Sequence, residues 1–86
     1  MNYAVIWTKA AVDQLAAAWM SATNRTAVQR ASNRIDRQLA SNPWAVGESR
    51  SGNDRLYFDQ PLAVYYRIDD SDNKVYVLSV GLTPSS

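Results

Sequence analysis

The chain contains no cysteine and no histidine among its 86 residues. The first absence removes disulfides and thiol nucleophiles, the second removes Ser-His triads, and together they remove the usual zinc ligand sets. A cysteine-free chain also fits a reducing compartment. No segment reaches eighteen uninterrupted apolar residues, so no membrane span is expected. The opening "MNYAVIWTKAAVDQLAAAWM" lacks the basic start of a signal peptide, and Asp13 and Gln14 break its alanine-rich run. These features lead us to expect a soluble, cytoplasmic protein. Internal repeats and low-complexity linkers are lacking too, which leaves one domain over residues 1–86. At that size folding buries only about 60% of the unfolded chain's surface, so the core is small.

Charge of one sign is also scarce. The net charge is +1, unevenly spread. Residues 1–50 carry Lys9, Arg25, Arg30, Arg34, Arg37 and Arg50 against Asp13, Asp36 and Glu48. Residues 51–86 carry Arg55, Arg67 and Lys74 against Asp54, Asp59, Asp69, Asp70 and Asp72. This balance is too weak for a dedicated nucleic-acid binder, and strong direct DNA binding is not expected.

What is present is hydrophobic pattern: 47% of the residues are apolar. Tyr3 to Trp7 (YAVIW) is a run of strand formers, and Thr8 follows as a helix N-cap candidate. From Lys9 the pattern is helical. Val12, Leu15, Ala16 and Trp19 fall on one face of a helix ending near Ser21 or Ala22. Thr23 or Asn24 caps a second helix from about Arg25 to Ser41, stopped by Asn42-Pro43. Its apolar stripe is Val28, Ala31, Ile35 and Leu39. So short a link makes the two helices an antiparallel hairpin.

The segment "NPWAVGESRSGN" reads as a loop, pinned to the core through Trp44, Ala45 and Val46. Strands are expected at about Arg55–Phe58, Leu62–Ile68 and Lys74–Val80. Asp59-Gln60-Pro61 and Asp70-Ser71-Asp72-Asn73 link them as turns. Leu62, Val64, Tyr66 and Ile68 alternate with Ala63, Tyr65, Arg67 and Asp69, which suits a sheet with one face on the core. The order is β-α-α-β-β-β, an α+β domain with a helical hairpin packed on an antiparallel sheet.

Several groups are candidates for function. Arg55 and Arg67, with Tyr57 and Tyr65, would bind RNA by ion pairing and stacking if they share the exposed sheet face. The alternative is ordinary cross-strand pairing, and the register that decides is not written in the sequence. Arg30, Arg34 and Arg37 form a basic helix face, either a grip for phosphate or an acidic partner, or a solvated surface. Asp69, Asp70 and Asp72 lie in "DDSDN", which lacks the glycine and distal glutamate of a calcium loop, so we expect a turn and no metal. No cofactor is expected. Trp7, Trp19 and Trp44 are expected in the core, an exposed one marking a binding surface. Ala10, Ala11, Ala16, Ala17 and Ala18 make the first helix shallow, open either to its own hairpin partner or to a segment of another chain.

Two stretches carry a resemblance. "YAVIWTKAAVDQL" is similar to the start of the RelE/ParE-family toxins of type II toxin–antitoxin systems. "DRLYFDQPLAVYYRIDDSDNKVYVLSVG" resembles that family's C-terminal strands, through Tyr66-Arg67-Ile68, an acidic turn, and Val75-Tyr76-Val77-Leu78-Ser79-Val80. The resemblance implies the family fold and a cognate antitoxin as partner, with Leu15, Trp19 and Trp44 near its surface. It also implies a cellular target such as gyrase or the ribosome. Ribonuclease members cut messenger RNA on the ribosome without metal, using strand-borne Arg and Lys, a C-terminal Arg and often a nearby Tyr. Here Arg55 matches the first arginine of an Arg-Leu-Arg strand, and Tyr57 stands at the second. Ala63 occupies the arginine position of the next strand, and Leu82 and Thr83 replace a basic pair. The expected activity is therefore gyrase-inhibitor-like binding. The alternatives are a ribosome-dependent endonuclease with Arg55, Arg67 and Tyr65 or Tyr66 as a rearranged set, and a non-toxic interaction module.

Overall fold

The computed structural model describes residues 2–84. Strand β1 (Ala4–Trp7) leads into helix α1 (Lys9–Ser21) and helix α2 (Arg25–Ser41). Strands β2 (Glu48–Ser51), β3 (Asp54–Asp59), β4 (Leu62–Asp69) and β5 (Lys74–Leu82) follow. Thr8 caps α1 as expected. Its Oγ1 accepts the Ala11 N–H at 3.2 Å and donates to the Val77 carbonyl at 2.8 Å, tying the helix start to β5. Asn24, rather than Thr23, caps α2 by accepting the Ala27 N–H at 3.0 Å.

The five strands lie in the order β1-β5-β4-β3-β2, with both helices against one face of the sheet. The α+β architecture is the one expected, with two differences. First, β1 pairs parallel to β5, so the sheet is only mostly antiparallel. Second, Glu48–Ser51, read as loop, is an edge strand paired with β3. Every residue of it is exposed, so it has no apolar alternation to announce it. Gly52, at φ 57°, makes the turn into β3.

The core lies between α2 and the middle strands. Val28, Ala31, Ile35 and Leu39 meet Leu62, Val64, Tyr66 and Ile68 of β4 and Val75 and Val77 of β5. On α1 the expected face is not the buried one. Ala11 and Ala18 touch the core, with Leu15 half-buried between them, while Val12 is 50% exposed and Trp19 39%. Alanine explains the rotation, because a helix lined with small side chains approaches β5 closely. Gln14 secures that approach by accepting the Val80 N–H at 2.7 Å. Among the described residues no helix is long and apolar enough to cross a membrane.

Candidate functional site

Register decides which candidate side chains share a surface. β3 and β4 oppose Asp54 to Arg67, Arg55 to Tyr66, Leu56 to Tyr65, Tyr57 to Val64 and Phe58 to Ala63. Directly opposed residues point to the same side of a sheet. Arg55 and Tyr57 therefore lie on the helix side with buried Tyr66 and Val64, whereas Arg67 and Tyr65 lie on the open side. The expected grouping of Arg55, Arg67, Tyr57 and Tyr65 on one exposed face is thus divided between two faces.

On the helix side, Arg55 and Tyr66 hold a loop. The Tyr66 hydroxyl is fully buried and donates toward the carbonyls of Pro43, at 2.7 Å, and Val46, at 2.9 Å. Arg55 donates from Nε to the Val46 carbonyl at 3.1 Å and from Nη2 to the Gly47 carbonyl at 3.0 Å. Gly47 sits at φ 74°, and a Cβ there would stand 2.8 Å from the Leu56 carbonyl oxygen and 3.0 Å from the Tyr66 hydroxyl. Trp44, expected in the core, is 40% exposed. Its indole N–H donates to Asp70 at 3.0 Å, the Tyr3 hydroxyl donates to the same oxygen at 2.7 Å, and the Arg55 guanidinium stands 5.9 Å from its ring. Burial pushes the Tyr66 phenol up from its ordinary pKa, with Arg55 pulling partly back. A phenol raised and doubly engaged is built to hold a loop, not to exchange protons near neutral pH.

On the open side, Arg67 is bound from within. Its Nε and Nη2 reach the two oxygens of Asp54 at 2.6 and 3.1 Å, and the Tyr65 hydroxyl donates to the same carboxylate at 2.7 Å. Asp54 is buried, and the hydrogen bonds from Arg67 and then Tyr65 hold its pKa below the ordinary value. Those same contacts raise the Tyr65 phenol and the Arg67 guanidinium. Sequence reasoning gave Asp54 no role, since only the register sets it opposite Arg67. Around this cluster the open face is apolar: Leu56, Ala63, Tyr76 and Phe58, which is 52% exposed. Ala63, opposite Phe58, offers no cation there. Leu82 is exposed beyond it, and Thr83 donates its N–H to the Pro61 carbonyl at 2.8 Å.

The basic helix face is not one patch. Arg34 forks onto Asp59, with Nη2 2.7 Å from Oδ1 and Nε 3.0 Å from Oδ2, and that carboxylate raises its pKa. The pair bolts α2 to the turn between β3 and β4. Arg30 and Arg37 flank it toward different hollows, Arg30 beside Thr26 and Gln60, Arg37 beside Trp7 and Asp36. In the acidic turn, Asp69 accepts from the Ser71 hydroxyl at 2.7 Å and the Asp72 N–H at 3.3 Å, which is turn chemistry.

The helices leave an apolar groove between them. Val12, Leu15, Ala16, Trp19 and Met20 form its α1 wall, and Val28, Gln29 and Ser32 its α2 wall. It runs on past Asn33, Asp36 and Arg37 to Trp7, whose indole N–H donates to Asp36 at 3.0 Å. Met20 is 66% exposed. Leu15 and Trp19 thus share one surface, and Trp44 lies outside it. Sequence reasoning missed Val12 and Met20 as surface groups, because the alanines around them made two faces of α1 equally plausible as its buried side.

No protein-family model and no curated protein matches the chain. Solved structures do. A chain of the toxin–antitoxin complex RelBE2 from Mycobacterium tuberculosis superposes with TM-score 0.81 at 19% identity, covering 99% of this chain and 95% of that one. The chromosomal ParDE toxin–antitoxin system of P. aeruginosa gives 0.73 at 15%, with 96% and 98% covered. The isolated E. coli RelE toxin gives 0.70 at 17%, with 98% and 87% covered. Likeness at such identities speaks to architecture, and by it this chain has the RelE/ParE toxin fold.

Proposed function

We propose that the protein is the toxin of a type II toxin–antitoxin pair, acting in the cytoplasm by binding its target rather than by cutting RNA. One observation carries the second half of this reading: on the open sheet face Arg67 is bonded by Asp54, and Arg50, close to Tyr65, is paired with Glu48 at 3.3 Å, so neither guanidinium is uncommitted. Phosphate chemistry without metal needs several uncommitted cationic donors aimed at the developing charge, and each one missing costs several kcal/mol of transition-state stabilisation. Ala63 and Thr83 stand where the family resemblance implies two of them, and Arg55 points to the opposite side.

An apolar sheet face with its charge internally cancelled favours protein contact, and gyrase is the target this reading selects over the ribosome. The cognate antitoxin would cover Leu15 and Trp19 in the helix groove and, as a second contact, the exposed ring of Trp44.

The test is induced expression of the chain with and without the small reading frame beside its gene. Growth arrest relieved by that neighbour, inhibition of gyrase supercoiling by the purified chain, and intact ribosome-bound message support the proposal. Codon-specific cuts that vanish in Arg67→Ala or Tyr65→Phe would replace it with the endonuclease.

A further inference from the structure

The open sheet face carries aromatic rings and cations together, and its cations are cancelled one by one. Tyr76 on β5 opposes Arg67, Tyr65 stands two positions along β4, and the exposed Phe58 opposes Ala63 beyond it. Rings interleaved with cations on a sheet suit stacked bases between ion-paired phosphates. Among the described residues three cations reach this face, and each meets an acid. Lys74, at the turn end, opposes Asp69 and stands 4.0 Å from Asp72, away from Tyr65 and Phe58. Arg50 meets Glu48 at 3.3 Å, and Arg67 meets Asp54 at 2.6 Å. The two arginine pairs are not alike. The Glu48 side chain is 66% exposed, and a surface pair of this kind is weak, screened by salt and free to open toward a phosphate. The Asp54 side chain is 11% exposed and is held by Arg67 Nε, Arg67 Nη2 and the Tyr65 hydroxyl, so it cannot turn aside.

We propose that Asp54 is the specificity-determining residue of the open face: its fixed charge beside Arg67 makes the face refuse single-stranded RNA and leaves it to protein. The inference rests on the reading that the chain binds its target rather than cutting RNA, and it names the residue that enforces that choice. Arg67 is largely exposed and keeps N–H donors beyond those given to Asp54. A phosphate that used them would meet the Asp54 carboxylate at nearly the same distance, so attraction and repulsion cancel. Asparagine in place of Asp54 keeps the shape and still accepts from Arg67 through its carbonyl, without the charge. Tyr65, Tyr76 and Phe58 need no change to stack, because they already stand on this face. Holding a strand and cutting it are separate here. Ala63 and Thr83 leave out cations that the chemistry needs, whereas Asp54 governs whether a strand is held at all.

The experiment uses the full chain and a fluorescein-labelled oligouridylate of about ten nucleotides, followed by fluorescence anisotropy at low salt. We expect Asp54→Asn to bind it at least about tenfold tighter than the parent. The gained affinity should fall with added salt, with a log–log slope of about 0.7 per phosphate held. Arg67→Gln on top of Asp54→Asn should abolish the gain. Asp54→Glu, which restores the charge, should refuse the RNA as the parent does. Glu48→Gln and Asp72→Asn remove the same unit of charge from exposed positions and should gain far less. Circular dichroism confirms the fold of each variant, and Asp54→Ser, neutral and smaller, repeats the test without an amide. No gain in the neutral Asp54 variants, a gain that survives the loss of Arg67, or an equal gain in Glu48→Gln overturns the proposal. The outcome is separable from the broader reading. A parent that inhibits gyrase while its folded Asp54→Asn form stays blind to RNA keeps the target and sinks the role of Asp54. An Asp54→Asn form that gains RNA while the parent leaves gyrase and growth untouched does the reverse.

Discussion

Arg67 and Asp54 are directly opposed across β4 and β3, with the Arg67 Nε 2.6 Å from a carboxylate oxygen that is buried while the guanidinium stays largely exposed. The open face therefore keeps the shape of an arginine without its free charge. Asp54 has a depressed pKa for the same reason, the hydrogen bonds from Arg67 first and Tyr65 second.

That depression has a signed consequence. The unfolded chain binds a proton at this carboxyl before the folded one does, so its stabilisation is complete above the unfolded value, about 3.9, and fades as pH falls through the folded value. Asp54→Asn should therefore be less stable at pH 7 and lose less further stability on acidification below about pH 4. Melting temperatures against pH check this. A slope equal to the parent's would assign the acid loss to Asp69 and Asp70, which are lowered by their own hydrogen bonds.

Tyr66→Phe should destabilise by about 1–2 kcal/mol, since the Pro43 carbonyl loses its buried donor while the Val46 carbonyl keeps Arg55. In a chain of this size that lowers the melting temperature by roughly 5–15 °C. Tyr65→Phe leaves its carboxylate still held by Arg67 on a half-exposed surface and should cost clearly less.

Gly47 and Gly52 both adopt positive φ, but only Gly47 meets its neighbours. Gly52→Ala should cost about 1 kcal/mol, the left-handed backbone alone. Gly47→Ala adds a 2.8 Å approach to the Leu56 carbonyl and should cost more, freeing the loop that Arg55 and Tyr66 hold. Urea denaturation of the two variants makes the comparison.

Val12→Ser, Trp19→Ser and Met20→Ser should each change stability little, by about 0.5–1 kcal/mol, because these side chains are substantially exposed. Ile35→Ala, fully buried, should cost about 2–5 kcal/mol. Chemical denaturation beside a partner pull-down separates the classes. The α1 variants should lose the partner while staying folded.

What the sequence made legible follows period. The α2 stripe Val28, Ala31, Ile35, Leu39 and the β4 alternation Leu62, Val64, Tyr66, Ile68 are core in the structure, because each pairs large apolar residues with one unambiguous repeat. The α1 face was misread where alanine is common, since a small side chain suits a core and a surface equally. β2 escaped because "ESRS" has no buried side to write a pattern. The division of Arg55 from Arg67 lies in the pairing of β3 with β4, a relation between two segments that neither segment encodes alone.

The parallel pairing of β1 with β5 also sets a schedule. Ala4 opposes Lys74, about seventy residues later, and Thr8 anchors α1 through the Val77 carbonyl. During synthesis at roughly 5–20 residues per second, the opening strand and its helix wait roughly 4–14 s for the strand that completes them. Until then Val5, Trp7 and the alanine face of α1 have no sheet to rest on, and the two walls of the groove have no fixed spacing. A chain that stops short of β5 can still pair β2, β3 and β4, but it leaves β1 without its only strand neighbour among the described residues and α1 without the Val77 and Val80 contacts that fix it.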